Sequence, residues 1–193
     1  GLDEIKIKFS QSKKLQISRL AHGTTVATNS LLQRKGGKLA LVTTKGFKDL
    51  LEIGRQVRPS VYDLQIDSPQ PLVDRRNRIE VNERIDFTGN IIKPINKNEL
   101  ALLEKNIKKL KNIDGIAICL LFAFLNSSHE ILIKEKLSKS FPNLPISISS
   151  EVQPEFREYE RFSTTTINAY LQPEVGMYMN CLLYTSDAAD ESV

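Results

Sequence analysis

The chain has little of what builds metal and redox sites. Of its 193 residues only two are cysteine and two are histidine. Cys119 and Cys181 lack any metal-like or redox spacing, and Cys119 lies inside the apolar run GIAICLLFAFL, where a small buried thiol is expected. His22 and His129 stand far apart with no cysteine beside them, so no zinc site and no other metal site is expected. The longest apolar run is about ten residues, whereas a membrane-spanning helix needs roughly 20. No membrane partner and no signal peptide are expected, and a reducing cytoplasm is the expected location. Internal repeats and low-complexity segments are lacking too. The net charge is +4, but the basic residues are scattered and no aromatics are interleaved with them. The densest basic run, KNIKKLKN, reads as the solvated face of a helix, and no nucleic-acid partner is expected.

What is present is an ordinary globular composition, 40% hydrophobic and 26% charged. LQISRLA (residues 15–21) reads as a strand. TTVATNSLLQRKG follows as a helix, capped by Thr24 or Thr25 and ended at Gly36 and Gly37. KLALVTT is a second strand, and GFKDLLEIG is a short helix ended by Gly54. This strand–helix–strand order points to an α/β crossover. Residues 55–71 are irregular and carry Pro59, Pro69 and Pro71. RIEVNERIDFTGNIIKPI reads as a β-hairpin with Thr88, Gly89 and Asn90 in its turn. NKNELALLEKNIKKLKN is a helix with Leu103, Ile107 and Leu110 in one stripe. DGIAICLLFAFL is the continuous apolar pattern of a strand covered on both faces. SSHEILIKEKLSKSF has Ser127 and Glu130 at capping-box spacing, and LPISISS is the next strand. The second half is thus another βαβ unit feeding a last helix.

That helix, PEFREYERFSTTTINAYLQP, has two faces at about 100° per residue. Phe156, Tyr159, Phe162, Ile167 and Tyr170 fall on one side, and Arg157, Arg161, Thr164 and Asn168 on the other, with Glu158 flanking and Glu151 just after the preceding strand. The polar stripe is either a solvated face with internal Arg–Glu pairs or one edge of a cleft presenting guanidinium and amide donors to an anion. In HGTTVATN, Gly23 permits a tight turn, and Thr24 and Thr25 offer hydroxyls to a helix start whose free amides favour an anion. A cap and a pocket edge both fit. Asn29 lies one turn on, and His22 either meets a ligand or satisfies a buried carbonyl.

Taken together and in order, HGTTVATNSLLQRKG, LALVTTKGFKDLLEIGRQVRPSVYDL, PLVDRRNRIEVNERID and EVQPEFREYERFSTTTINAYLQP resemble the N-terminal region of the hydantoinase A / 5-oxoprolinase family. The resemblance covers nearly everything from about residue 15 to residue 173. It implies an α/β fold, part of an actin-like ATPase (ribonuclease H-like) lobe with βαβ units and one β-hairpin. It implies a fragment of an ATP-dependent hydrolase that opens cyclic amides such as hydantoin or 5-oxoproline by phosphorylating the amide oxygen, with ATP and Mg²⁺ as cofactors. It also implies a hetero-oligomer with a hydantoinase B-type subunit. An ATPase subunit of an acetone carboxylase-type enzyme and a non-catalytic subunit-docking module are the alternatives. The cleft residues it suggests are His22, Gly23, Thr24, Thr25 and Asn29 from the opening turn, Arg55, Gln56 and Arg58 from the loop after LLEIG, and Glu151, Arg157, Glu158, Arg161 and Asn168 around the last helix. Catalytic residues are not assigned.

The domain reading is a family region over residues 1–180 that is incomplete at both ends, and a tail at 181–193 whose CLLYTSDAAD resembles a translated sequencing adapter and is expected to be non-native. The family's Asp-x-Gly-Gly-Thr-type phosphate loop has no counterpart in the sequence. The 193-residue chain is therefore expected not to turn over ATP alone. A phosphate-release assay on the purified chain checks this, and ordinary cyclic-amide-dependent turnover would contradict it.

Overall fold

The computed structural model describes residues 23–56, 62 and 69–190, with side chains to residue 182. The strand expected at residues 15–21 lies outside the described residues. The first helix, α1 (Val26–Leu32), leads to strand β1 (Leu39–Thr44) and a single-turn helix α2 (Leu50–Ile53). After a 3₁₀ turn at Arg75–Asn77 come β2 (Arg78–Val81), β3 (Arg84–Ile85) and β4 (Ile91–Lys93). Helix α3 (Lys97–Lys109), β5 (Gly115–Cys119), α4 (Ser128–Ser140) and β6 (Ile146–Ile148) follow. Helix α5 (Ser149–Val152) then leads to the long α6 (Glu158–Asp190), which runs through residue 181 without a break.

Four strands form one parallel sheet in the order β2-β1-β5-β6. Side chains alternate across it, as the pleat requires. Ala40, Val42, Ile79, Val81, Ile116, Ile118 and Ile148 meet Leu103 and Ile107 of α3 and Ile133 and Leu137 of α4 on one face. Leu39, Leu41, Ala117 and Cys119 meet Phe162, Ala169 and Tyr170 of α6 on the other. Both faces are covered, which is why β1 and β5 are apolar without polar alternation. On the first face, Glu104 of α3 joins Lys136 of α4 at 2.8 Å.

Three local expectations are corrected. The hairpin is shorter than its sequence pattern. Residues 78–81 leave it to pair with β1 in parallel register, Leu41 opposite Arg78 and Thr44 opposite Val81. Ile79 and Val81 gain the core face by this choice, and only β3 and β4 form the hairpin, with Gly89 at φ +85° in its turn. The apolar run after β5 ends as a strand at Cys119, because the next two amides are taken by side chains. Leu120 donates to Glu130 at 2.9 Å and Leu121 to the Thr44 hydroxyl at 3.1 Å. The capping box does not form either. Ser127 makes no side-chain cap bond, and Glu130 turns into the core instead.

Helix α6 crosses the sheet antiparallel to the strands. It starts near the strand C-termini and reaches their N-terminal edge at Tyr170, whose carbonyl accepts from Gly37 at 2.9 Å. At Gly36 the Tyr170 ring occupies the space a Cβ would need, whereas Gly23 has open space around it. Gly36→Ala is therefore expected to lower the melting temperature by roughly 3–10 °C through overpacking, and Gly23→Ala to leave it nearly unchanged; thermal unfolding followed by circular dichroism checks both.

Candidate functional site at the C-terminal edge of the sheet

Ligand sites in open parallel sheets lie beyond the strand C-termini. In this chain that edge holds two adjacent buried polar clusters. The first is centred on Arg161, which has no exposed surface. Its Nε donates to Ser149 Oγ at 3.2 Å, its Nη1 to the Glu155 carbonyl at 3.0 Å and its Nη2 to the Leu120 carbonyl at 2.9 Å. Glu158 adds a longer contact at 3.4 Å, and the guanidinium carbon lies 5.2 Å from the Phe124 ring centre. Ser149 Oγ in turn donates to Glu130 Oε1 at 2.6 Å, and the Ser150 amide donates to Glu130 Oε2 at 2.8 Å. Burial pushes the Glu130 carboxyl above its ordinary range, while the donors from Ser149, Leu120 and Ser150 pull it back. The second cluster begins at Thr44, whose hydroxyl bonds Glu83 Oε1; Glu83 Oε2 lies 2.7 Å from His129 Nδ1. His129 and Glu130 are neighbours on α4, so one helix turn supplies both clusters.

The suggested cleft residues fall in separate places. Arg55 pairs with Glu160, a residue the sequence reading passed over, and Arg55 and then Arg157 help hold the Glu160 carboxyl below its usual range. Gly54 lies against the Tyr159 ring. The loop after α2 and the start of α6 therefore converge, bringing Arg55, Gln56, Arg157 and Glu158 into one region. Gln56 and Arg157 both adopt left-handed backbone, at φ +56° and +76°, and both are exposed. Backbone strain of that kind concentrates at functional sites.

Other candidates lie apart from this region. Asn168 donates to Ser147 on β6 at 3.0 Å, ten residues beyond Glu158 along α6, or about 15 Å of helix. Ala27 of α1 and Asn168, Leu171, Gln172, Val175 and Gly176 of α6 line a cavity of about 390 Å³. The opening turn thus belongs with the middle of α6. Gly23, Thr24, Thr25 and Asn29 are exposed. The Thr24 hydroxyl accepts from the Val26 amide at 3.2 Å, and that of Thr25 only from the Asn29 amide group at 3.4 Å. Glu151 is engaged by Lys134 at 2.6 Å. His22 and Arg58 lie outside the described residues.

The wheel reading of the last helix is corrected at both faces. Phe156 is 65% exposed and precedes the helix, whereas Arg161 is buried with its donors used inside the chain. Hydrophobicity alone placed Arg161 outward; the strand-end carbonyls that draw it inward come from distant sequence. Thr44, Glu83, His129, Glu130 and Ser149 were likewise missed. The available signal was slight: Glu130 directly precedes the apolar Ile131-Leu132-Ile133, whereas Glu83 sits between Asn82 and Arg84 and gives none.

A smaller cavity, about 220 Å³, opens between α2, the segment at residues 69–72 and α6. Leu51, Pro69, Pro71 and Leu72 form one side, and Tyr159, Ser163, Thr166 and Ile167 the other.

A parallel sheet covered on both faces, with its polar residues gathered at the strand C-termini, defines an α/β lobe of the ligand-binding kind. The fold matches the crystal structure of ATP-dependent caprolactamase from Pseudomonas jessenii with a TM-score of 0.80 at 29% identity, over 94% of this chain and 27% of that one. This is the expected partial actin-like ATPase lobe. Residues 2–141 match the family described as the hydantoinase/oxoprolinase N-terminal region, and the chain belongs to that family. It is 45% identical to an uncharacterized protein of Methanocaldococcus jannaschii over 93% of its own length, and 37% identical to 5-oxoprolinase 1 of Arabidopsis thaliana over 86%. It spans 26% of the first protein and 14% of the second. An acetophenone carboxylase gamma subunit from Aromatoleum aromaticum is 30% identical over 81% of the chain and 23% of its own length. Among the described residues no helix is long and apolar enough to cross a membrane.

Removing one partner from a buried charged cluster typically costs about 3–5 kcal/mol. Arg161→Ala is expected to lower the melting temperature by about 10 °C or more, while Arg157→Ala, exposed one turn earlier, shifts it by no more than about 2 °C. Equal effects in thermal unfolding would contradict the placement of Arg161.

Proposed function

We propose that the chain is the N-terminal α/β region of a cytoplasmic, ATP-dependent enzyme that opens cyclic amides, working as a hetero-oligomer with a hydantoinase B-type subunit. The observation that carries this reading is the caprolactamase likeness, which combines a high structural match with 29% identity over nearly the whole chain. ATP is a co-substrate of the proposed reaction: phosphorylation of the amide oxygen gives water an electrophile it can attack. Mg²⁺ is expected to accompany the triphosphate. The described residues include no cluster of three or more His, Cys, Asp or Glu able to hold a metal, so no step is assigned to a metal on this chain. Arg55, Gln56, Arg157 and Glu158 at the α2–α6 junction, and Thr24, Thr25, Asn29 and Asn168 beside α1, are the proposed contributors to the cleft. His22, Gly23, Arg58 and Glu151 complete the proposed set. Arg161 acts in this reading by holding the start of α6 in place.

The acetophenone carboxylase relative supports a second reading, in which the same lobe serves ketone carboxylation. One assay separates the two. The full-length protein with its partner subunit is supplied with ATP and, in separate reactions, hydantoin, 5-oxoproline, caprolactam, or acetone plus bicarbonate. Ring-opened product that depends on ATP is expected, and Thr25→Ala should lower kcat/KM more than about tenfold while the melting temperature stays within about 3 °C. Carboxylation of acetone without ring opening would favour the second reading.

A further inference from the structure

A third cavity, of about 190 Å³, lies at the opposite edge of the sheet, between the entry to β1, the 3₁₀ turn before β2 and Tyr170 of α6. Strand β1 spans six residues, so this cavity is about 17 Å from the C-terminal edge. Two of the side chains that line it are polar and deeply buried: Asn77 is 5% exposed and Tyr170 6%. Among the described residues neither the Asn77 amide group nor the Tyr170 hydroxyl has a hydrogen-bond partner. The unpaired atoms of Thr43, Ser150, Thr166 and Gln172 are sealed off from any space, whereas those of Asn77 and Tyr170 keep accessible surface. Leaving such donors and acceptors unpaired in a buried place is costly, and a leucine and a phenylalanine at these two positions would avoid that cost. The Tyr170 ring sits where a Cβ of Gly36 would be, so the glycine is what admits it.

We infer that this cavity is a binding site for a small zwitterionic amino acid, with its ammonium at Asp74, its carboxylate at Lys38, and the Asn77 and Tyr170 side chains bonding to both. The charges select that class. Lys38 and Asp74 are the charged residues of the lining, one of each sign. Both keep free capacity. The Lys38 ammonium carries three donors and spends one on the Lys111 carbonyl at 3.0 Å. Asp74 accepts from Arg76 through Oδ2 alone, at 3.0 and 3.2 Å, which leaves Oδ1. A ligand of single charge meets a like charge as well as an opposite one, whereas a zwitterion pairs with each. An amide and a hydroxyl both donate and accept, so Asn77 and Tyr170 serve either end. Leu39 and Leu72 offer an apolar wall to the short chain between the charges. At about 190 Å³ the space is below the roughly 300 Å³ at which pockets for drug-sized ligands begin, so it takes no nucleotide. The source of the ligand rests on the cyclic-amide reading above. Hydrolysis adds water across the ring C–N bond of a lactam and leaves a carboxylate and an ammonium on one chain. The site then senses the product of the reaction, at the edge of the sheet away from the cleft.

The test is a methyl-detected NMR titration of the 193-residue chain with 6-aminohexanoate and, separately, with hexanoate, hexylamine and alanine. 6-Aminohexanoate is expected to shift the methyl signals of Leu39 and Leu72 saturably, and hexanoate and hexylamine to bind at least about tenfold more weakly. Tyr170→Phe, which keeps the ring against Gly36, should weaken 6-aminohexanoate binding about threefold or more. Asp74→Asn should weaken it about tenfold or more while the melting temperature stays within about 2 °C, because the pair Asp74 makes with Arg76 is exposed. Asp74→Asn decides the matter if Tyr170→Phe melts early. No saturable shift at these methyls, equal binding of hexanoate or hexylamine, or unchanged affinity in Asp74→Asn overturns the inference. Saturable binding of alanine without binding of 6-aminohexanoate overturns the assignment to the ring-opened product. Ring opening by the full-length enzyme without binding here would sink this site alone, and binding here without ring opening would sink the functional reading alone.

Discussion

The Leu120 peptide is held from both sides. Its amide donates to Glu130, and its carbonyl accepts from Arg161. Ser149 closes the ring by accepting from Arg161 and donating to Glu130. This single relay ties the end of β5, the end of β6, the first turn of α4 and the start of α6. Burying a guanidinium and a carboxyl is costly unless each donor and acceptor is met, and here the Leu120 peptide, the Ser149 hydroxyl, the Ser150 amide and the Glu155 carbonyl supply the close partners. Apolar packing holds the middle of the sheet on both faces, but it does not set where the strands stop. The relay does, and everything exposed at that edge is hung from it.

The functional geometry follows from this constraint. Because α6 is anchored at Arg161, its first turn sits against the loop after α2, where Arg55 meets Glu160 and where Gln56 and Arg157 carry strained backbone. Further along the same helix, Asn168 faces β6 and α1 lies alongside. One rigid helix therefore borders two polar regions about 15 Å apart, with an uncharged cavity facing α2 on its flank.

Much of the fold was legible from the sequence, because it depends on local pattern. The unbroken apolar run of β5 announces a strand covered on both faces, KLALVTT announces β1, and the Leu103–Ile107 stripe announces α3. Asn96 caps α3 by accepting from the Glu99 amide at 2.8 Å, as that residue type does at helix starts. What was illegible depends on partners distant in sequence. Residues 78–81 fit a hairpin or a parallel edge strand equally well until β1 is in place. Glu130 has capping-box spacing, yet the Leu120 and Ser149 groups it meets lie 10 and 19 residues away. Arg161 looks like a surface residue on a wheel that contains only its own helix. The candidate site was legible as a set of residue types and not as a place, since pairing Arg55 with Glu160 spans 105 residues.

The central claim is that Glu130 and Arg161 act as one unit through Ser149. A double-mutant cycle with Glu130→Gln, Arg161→Met and the combination, read by urea unfolding, tests it most directly. The account predicts a coupling energy of at least about 1 kcal/mol, the second change costing little once the first is made. Losses that add to within about 0.5 kcal/mol would contradict it and leave Arg161 and Glu130 as independent buried residues.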